Sequence, residues 1–264
     1  MIKLTGIPYD HNSSFLKGPA MAPDRIRQME KDGSANNFSE QGIEIAAGKN
    51  YEDTGDLQFT GIDPSNAFQQ IKAHIAAMLS GNHKVLSMGG DHSVSWPILD
   101  AFTEKFTDLH ILHLDAHADL YENFDNNTFS HASPFARIME TGKPASLTQV
   151  GIRTLNNHQR AQAEKYKVNV IEMRDFNFDF IHSLKGPLYI SLDMDSLDPA
   201  FAPGVSHHEP GGLSSREVIK IIQSVNVEVV GADIVEFNPF RDIHNMTAMV
   251  GYKIVKELIA KMIT

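Results

Sequence analysis

Short apolar runs alternate with longer amphipathic ones along the whole chain. Met1 to Ile7, Lys84 to Met88, Leu109 to Leu114, Leu147 to Gly151, Lys167 to Ile171, Leu188 to Leu192 and Val227 to Val235 read as strands. Most carry Val, Ile or Leu at successive rather than alternate positions, the signature of strands covered on both faces by helices. Between them, Ala67 to Ser80, Ser95 to Lys105, Pro134 to Glu140, Asn157 to Lys165, Ser214 to Ser224 and Asn245 to Met262 read as helices. In the last, Met249, Val250, Ile254, Val255, Leu258 and Ile259 form an apolar stripe. Ser214-Ser215-Arg216-Glu217 carries a helix-start pattern. The polar stretch Asp32 to Ile62, with several Gly and Asn, is expected to form surface loops. This alternation predicts the α/β class. We expect one domain over residues 1–264, in three α/β/α layers around a central, mostly parallel sheet.

Composition narrows the class. With 264 residues, 42% of them hydrophobic, the chain can fill a large core. It holds 23 Lys+Arg against 33 Asp+Glu, a net charge of −10, and no basic block, so a nucleic-acid partner is not expected. No apolar run approaches the roughly 18 residues of a membrane span, so no membrane partner is expected either. The first seven residues read as a strand rather than a targeting signal, which predicts a cytoplasmic location. The absence of Cys removes disulfides, thiolate metal sites and cysteine nucleophiles, and leaves 13 His to explain.

Ligands of open α/β sheets collect beyond the carboxyl ends of the strands. Three predicted strands end there in ionisable clusters: Gly89-Gly90-Asp91-His92-Ser93, Asp115-Ala116-His117-Ala118-Asp119, and Asp193-Met194-Asp195-Ser196-Leu197-Asp198. In extended chain, residues at i, i+2 and i+4 point to one side, so Asp115, His117 and Asp119 converge, as do Asp193 and Asp195. Four carboxylates gathered beside apolar strands repel one another and raise one another's pKa values. Two divalent cations match them in charge. His92 and His117 complete an oxygen-rich, thiol-free donor set suited to manganese, with iron, cobalt or zinc as substitutes. As turn, cap or core residues, any one cluster would be ordinary; three at successive strand ends favour a site.

His131, in the polar loop Asn126 to His131, is a candidate proton shuttle or a surface histidine. Glu236, after the run Val229 to Val235, is a candidate site acid or an exposed strand-end acid. Asp193-Met194-Asp195 lacks the Gly and later Glu of a calcium loop, and Gly89-Gly90 lacks the spacing and Lys of a nucleotide loop. Phe176 to Phe180 reads as an aromatic cluster between loop and core. His74, His83, His158, His182 and His244 have no acidic companions and are expected at the surface.

The three clusters, taken in order, resemble the ureohydrolases, the arginase and agmatinase superfamily, with the pattern nearest to plant-type arginases. The likeness extends through His11 to Leu16, Ser130 to Ser133, Phe135 to Glu140, Gln149 to Arg153, Asp198 to His207, Val235 to Pro239 and Met246 to Val250. It implies an arginase-like fold and two Mn2+ per chain. His92 would bind the first ion and His117 the second. Asp115 and Asp193 would bridge, Asp119 would complete the first shell, and Asp195 the second. The implied reaction is hydrolysis of L-arginine to urea and L-ornithine through a metal-bridging hydroxide; agmatine or another guanidino acid is the alternative substrate. Asp119 would accept a proton, His131 would protonate the departing amine, Glu236 would hold the guanidinium, and Asp91 would orient the ligands. Asn127, His131 and His207, with the stretch Val205 to Glu209, would read the rest of the substrate. A homo-oligomer, trimer or hexamer, is also implied. Two departures bear on substrate recognition. The loop after the second cluster is shorter than in animal arginases, and His208 stands where the plant-type pattern has an aliphatic residue. A one-zinc deacetylase on a related sheet, or a silent binding protein, are the readings of another class. The four paired carboxylates speak against the first and the complete ligand set against the second.

Overall fold

Runs of Val, Ile and Leu without polar interruption can only be buried in the middle of a sheet, and that is where the chain puts them. The computed structural model describes residues 1–264. Its strands are β1 (Ile2–Gly6), β2 (Tyr51–Asp56), β3 (Lys84–Met88), β4 (His110–Leu114), β5 (Ser146–Ile152), β6 (Asn169–Glu172), β7 (Leu188–Asp193) and β8 (Val229–Val235). Its helices are α1 (Ala22–Lys31), α2 (Pro64–Ser80), α3 (Ser95–Lys105), α4 (Pro134–Glu140), α5 (Asn157–Lys165), α6 (Ser215–Ser224) and α7 (Met246–Ile263). The strands form one sheet in the order β2-β1-β3-β8-β7-β4-β5-β6, and every pair is parallel. Successive side chains leave it on opposite sides. Leu86, Met88, Ile190, Leu192 and Ile234 join the core under α1, α6 and α7. Val85, Tyr189, Val230 and Val235 join the core under α2, α3 and α4. No helix is long and apolar enough to cross a membrane.

The expected central parallel sheet is present, and all of its strands are parallel. One expectation is corrected. The stretch Asp32 to Ile62 is not all loop, because Tyr51–Asp56 forms the edge strand β2. Its sequence, Tyr-Glu-Asp-Thr-Gly-Asp, buries only Tyr51, so backbone pairing with β1 defines it rather than a hydrophobic pattern. Helix α1 was not expected either. It carries Pro23 in its first turn and buries Ile26 and Met29, a stripe too short to stand out.

Register is what matters for function. Met88 pairs with Ile234, Ile234 with Leu192, and Leu192 with Leu114. These four residues make a level row across the central strands β3, β8, β7 and β4. The chain just beyond that row carries His92, Glu236, Asp193 and Asp115. Close packing underneath leaves no room for a side chain at Gly90: a Cβ there would lie 1.9 Å from the Tyr9 carbonyl oxygen. That approach lets Asp91 N–H donate to the same carbonyl at 3.0 Å, joining the N-terminal loop to the end of β3. Substituting Gly90→Ala should destabilise the protein by about 3 kcal/mol. Denaturant unfolding is the check, and an unchanged midpoint would show that the loop gives way freely.

Candidate metal centre and active site

Beyond Met88 the chain passes through Gly89-Gly90-Asp91 into a 3-10 turn, His92–Val94, that leads into α3. Asp91 caps the turn, accepting from Ser93 N–H at 3.1 Å, and also accepts from Asn12 N–H at 2.9 Å. The turn aims His92 into the sheet's carboxyl end. Its Nε2 lies 3.1 Å from Ser191 Oγ, and Ser191 gives its only proton to Asp233 Oδ1 at 2.6 Å. Ser191 therefore accepts from His92 Nε2–H, and the other ring nitrogen, Nδ1, is turned towards the carboxylates.

The surroundings of Nδ1 are the decisive observation. His92 Nδ1 is buried, has no hydrogen-bond partner, and lies 3.1 Å from an oxygen of each of Asp115, Asp119 and Asp193. Three carboxylate oxygens and an imidazole nitrogen facing one point repel one another unless a proton or a metal cation sits among them. A second such point lies next to it. His117 Nδ1 is 3.1 Å from Asp195 Oδ2 and 3.4 Å from Asp115 Oδ1. Asp115 thus turns one oxygen to each histidine, the geometry of a bridge between two cations. Asp193 faces His92 with Oδ2, while its Oδ1 accepts from Asp195 N–H at 2.7 Å. The donors are all imidazole nitrogen and carboxylate oxygen, so the residues fit divalent ions of the manganese type.

Protonation equilibria express the same field. Burial would depress the His92 and His117 imidazoles, but the facing carboxylates override it and raise both well above the usual histidine range. Burial, then the neighbouring Asp195 and Asp115, pushes Asp193 far above an ordinary carboxyl. Asp115 goes the other way: burial would raise it, but His113 and the other imidazoles hold it well below. The site draws in positive charge, as protons or as metal.

Beside this centre, His131 Nδ1 bonds Glu236 Oε1 at 2.8 Å and His131 Nε2 bonds Ser14 Oγ at 2.8 Å. Glu236 Oε1 also accepts from His92 N–H at 2.9 Å, which leaves Oε2 without a protein donor. Two of the residues gathered here hold left-handed backbone, Asp119 at φ 50° and Glu236 at φ 62°. For residues other than Gly such angles cost of order 1–3 kcal/mol and cluster at functional sites. A cavity of about 230 Å3 opens onto Asp119, Asp193, Asp195, His117, His131 and Glu236. His207 lines it as well, with its ring 5.4 Å from that of His131.

Other candidates fall outside it. Asn127, expected to read the substrate, does not line the cavity; its carboxamide oxygen accepts from Phe129 N–H at 2.9 Å and serves its own turn. Asp198 accepts from the N–H groups of Ala200, Gly211 and Gly212, fixing the loop that carries Glu209. Of the five histidines placed at the surface, His158, His182 and His244 are exposed, whereas His74 is half-buried and bonds Thr5 Oγ1 at 2.9 Å. Four residues that the sequence did not single out join the site's surroundings: Ser14, His113, Ser191 and Asp233. For His113 the signal was available, since the i, i+2 rule that gathers Asp115, His117 and Asp119 also includes it.

A parallel sheet with His and Asp groups able to hold metal at its carboxyl end is the architecture of a metal-dependent hydrolase. Residues 1–260 match the model of the Arginase family, and the chain belongs to that family. It is 46% identical to "Arginase 1, mitochondrial" of Arabidopsis thaliana, over 98% of this chain and 80% of the relative. It is 30% identical to "Agmatinase" of Bacillus cereus, over 98% of this chain and 90% of the relative. Among solved structures, "Arginase from Medicago truncatula" superposes with a TM-score of 0.94 at 42% identity, covering 99% of this chain and 87% of that one. The cytoplasmic expectation is corrected by these relatives, since the plant arginases carry mitochondrial or chloroplastic/mitochondrial names and point to an organelle. That expectation rested on the first seven residues, the absence of Cys and the lack of a long apolar run, none of which reports the compartment.

Burial would lower His131, but Glu236, with Asp91 and Asp119 behind it, raises it to about 9. The unfolded value is about 6.5. The pair's contribution to stability is therefore complete below about 6.5 and is lost as pH rises through about 9. In the metal-free protein, histidine-selective NMR should show a midpoint near 9 that falls below about 6.5 in Glu236→Gln. A wild-type midpoint below 7 would remove the ion pair from the account.

Proposed function

We propose that residues 1–264 act as one ureohydrolase domain that hydrolyses L-arginine to urea and L-ornithine. The observation that carries it is the unpartnered His92 Nδ1 facing three carboxylate oxygens, within a chain more similar to plant arginases than to an agmatinase. His92, Asp115, Asp119 and Asp193 would hold one Mn2+, and His117, Asp195 and the bridging Asp115 and Asp193 the other. Bound there, the two ions would supply Lewis acidity and make water acidic enough to attack at neutral pH.

The chain's own groups do the rest. Glu236 Oε2, free of protein donors, accepts from the guanidinium in a charge-assisted hydrogen bond. Asp119 accepts a proton during attack. Its oxygen not facing His92 carries no hydrogen bond from the protein. The His131 proton on Nε2, shared with Ser14 Oγ at the cavity wall, passes to the departing amine, a poor leaving group without it.

Arginine differs from agmatine by its α-carboxylate, so the cavity must offer it a donor. No Lys or Arg lines the wall. Tyr121 does, and its hydroxyl oxygen already accepts from Asn156 Nδ2 at 2.6 Å, leaving the hydroxyl proton free to donate. Glu209 is the lining carboxylate outside the metal and His131 groups, and it suits the substrate's amine. Its backbone is held at 2.6 Å by Arg153, which also bonds the Asp195 carbonyl at 2.7 Å, so the reader is tied to a metal ligand. His207 would pack along the methylenes.

We also assign a homo-oligomer, trimer or hexamer. Exposed Phe15, Met21, Phe240, Ile243 and Met246 support this reading. They come from two segments joined by Asn238 to Lys17 and Arg25 to Asn245 hydrogen bonds. Solution mass is the check, and a monomer at micromolar concentration would refute it.

Protein loaded with manganese should hold two ions per chain and release urea from arginine with a higher kcat/KM than from agmatine or 4-guanidinobutyrate. Agmatine as the better substrate would replace this reading with agmatinase. Tyr121→Phe should raise KM about tenfold for arginine and leave agmatine unchanged. Glu209→Gln should weaken arginine and agmatine about tenfold and improve 4-guanidinobutyrate, which has no amine to pair and a carboxylate to repel.

A further inference from the structure

His113 precedes Asp115 by two residues, and strand alternation turns both side chains to one face. It is fully buried, with its ring stacked on Phe135 at a centroid distance of 3.8 Å. Its Nε2 lies 2.7 Å from Asp115 Oδ2, the oxygen that faces His92. On the other side of the ring, Nδ1 lies 3.0 Å from Gln149 Nε2. Gln149 Nε2 also lies 2.6 Å from the Ala118 carbonyl oxygen. A carbonyl oxygen can only accept, so the amide nitrogen rather than the amide oxygen must face it. The second hydrogen of that nitrogen then goes to His113 Nδ1, which accepts. The proton of the neutral ring is left on Nε2 and donated to Asp115. Both ring nitrogens are occupied in this way, so His113 is not itself a metal ligand although it lies among ligating atoms.

We infer that His113 and Gln149 form a positioning pair for the metal centre. Gln149 fixes the His113 tautomer, and the His113 Nε2–H holds the Asp115 carboxylate in the plane that turns one oxygen to each histidine. The inference rests on Asp115 being the bridging ligand. The carbonyl that orients Gln149 belongs to Ala118, inside the segment Asp115 to Asp119, so the pair also braces the loop between two ligands. Hydrogen bonds of this kind to ligands change metal affinity by about 10- to 100-fold when lost.

The test uses the metal-free full chain and Mn2+ titrated calorimetrically. Wild-type protein should take up two ions; failure to bind any would refute the metal reading itself rather than this inference. His113→Phe keeps the ring shape and the stack on Phe135 but has no donor. It should still take up two ions, with affinity weakened about 10- to 100-fold, and His113→Gln, which restores a donor, should recover most of the loss. Wild-type affinity in His113→Phe overturns the inference, and so does a fall to one ion, which would make His113 a ligand. Nitrogen-15 shifts of the metal-free wild type provide a readout that survives poor folding of the variants. They should show His113 neutral and protonated on Nε2, and in Gln149→Met that signature should be lost. Protonation on Nδ1 in the wild type overturns the inference.

Discussion

Mutual repulsion among buried carboxylates governs this molecule. Asp115, Asp119, Asp193 and Asp195 converge from two strand ends onto His92 and His117 at the floor of a cavity. A chain could relieve such a cluster by protonating it, by pairing it with Lys or Arg, or by binding cations. No Lys or Arg reaches the cavity. The Ser191 to Asp233 relay takes the proton on the far nitrogen of His92 and turns Nδ1 towards the carboxylates. Protons or cations must then fill the cluster, and the family's metal-dependent chemistry favours cations.

Placement comes from the sheet. Parallel strands put all their carboxyl ends on one edge, and the level row of Met88, Ile234, Leu192 and Leu114 sets four chain segments at a common height. Beyond the row the chain leaves regular structure. Asp119 and Glu236 hold left-handed backbone, and Gly90 allows the N-terminal loop to press against β3. Strain at these residues is offset by the fully covered strands beneath them.

Much of this was legible in the sequence because the signals were strong and local. Continuous apolar runs mark covered strands, and i, i+2 carboxylates at their ends mark convergence. The edge strand β2 was not legible, because an edge needs only backbone pairing and its residues are polar. Helix α1 was hidden by a short stripe. Ser14, Ser191 and Asp233 escaped because their importance lies in partners 42 to 117 residues away, and no spacing rule reports that. Asn127, which the resemblance offered as a substrate contact, closes its own turn and lies off the cavity wall. His113 was legible, since it shares the alternation that gathers Asp115, His117 and Asp119.

The contacts of His131 span the chain: Ser14 reaches one ring nitrogen and Glu236 the other. Neither residue is near the other until β8 has taken its place between β3 and β7, and joining such remote segments is a late event in folding. A partly folded chain could thus gather Asp115, His117 and Asp119, which are neighbours in sequence, and begin to bind metal. It could not yet bring Ser14 and Glu236 to His131. The set of contacts around His131 is therefore complete only once the last central strand has closed.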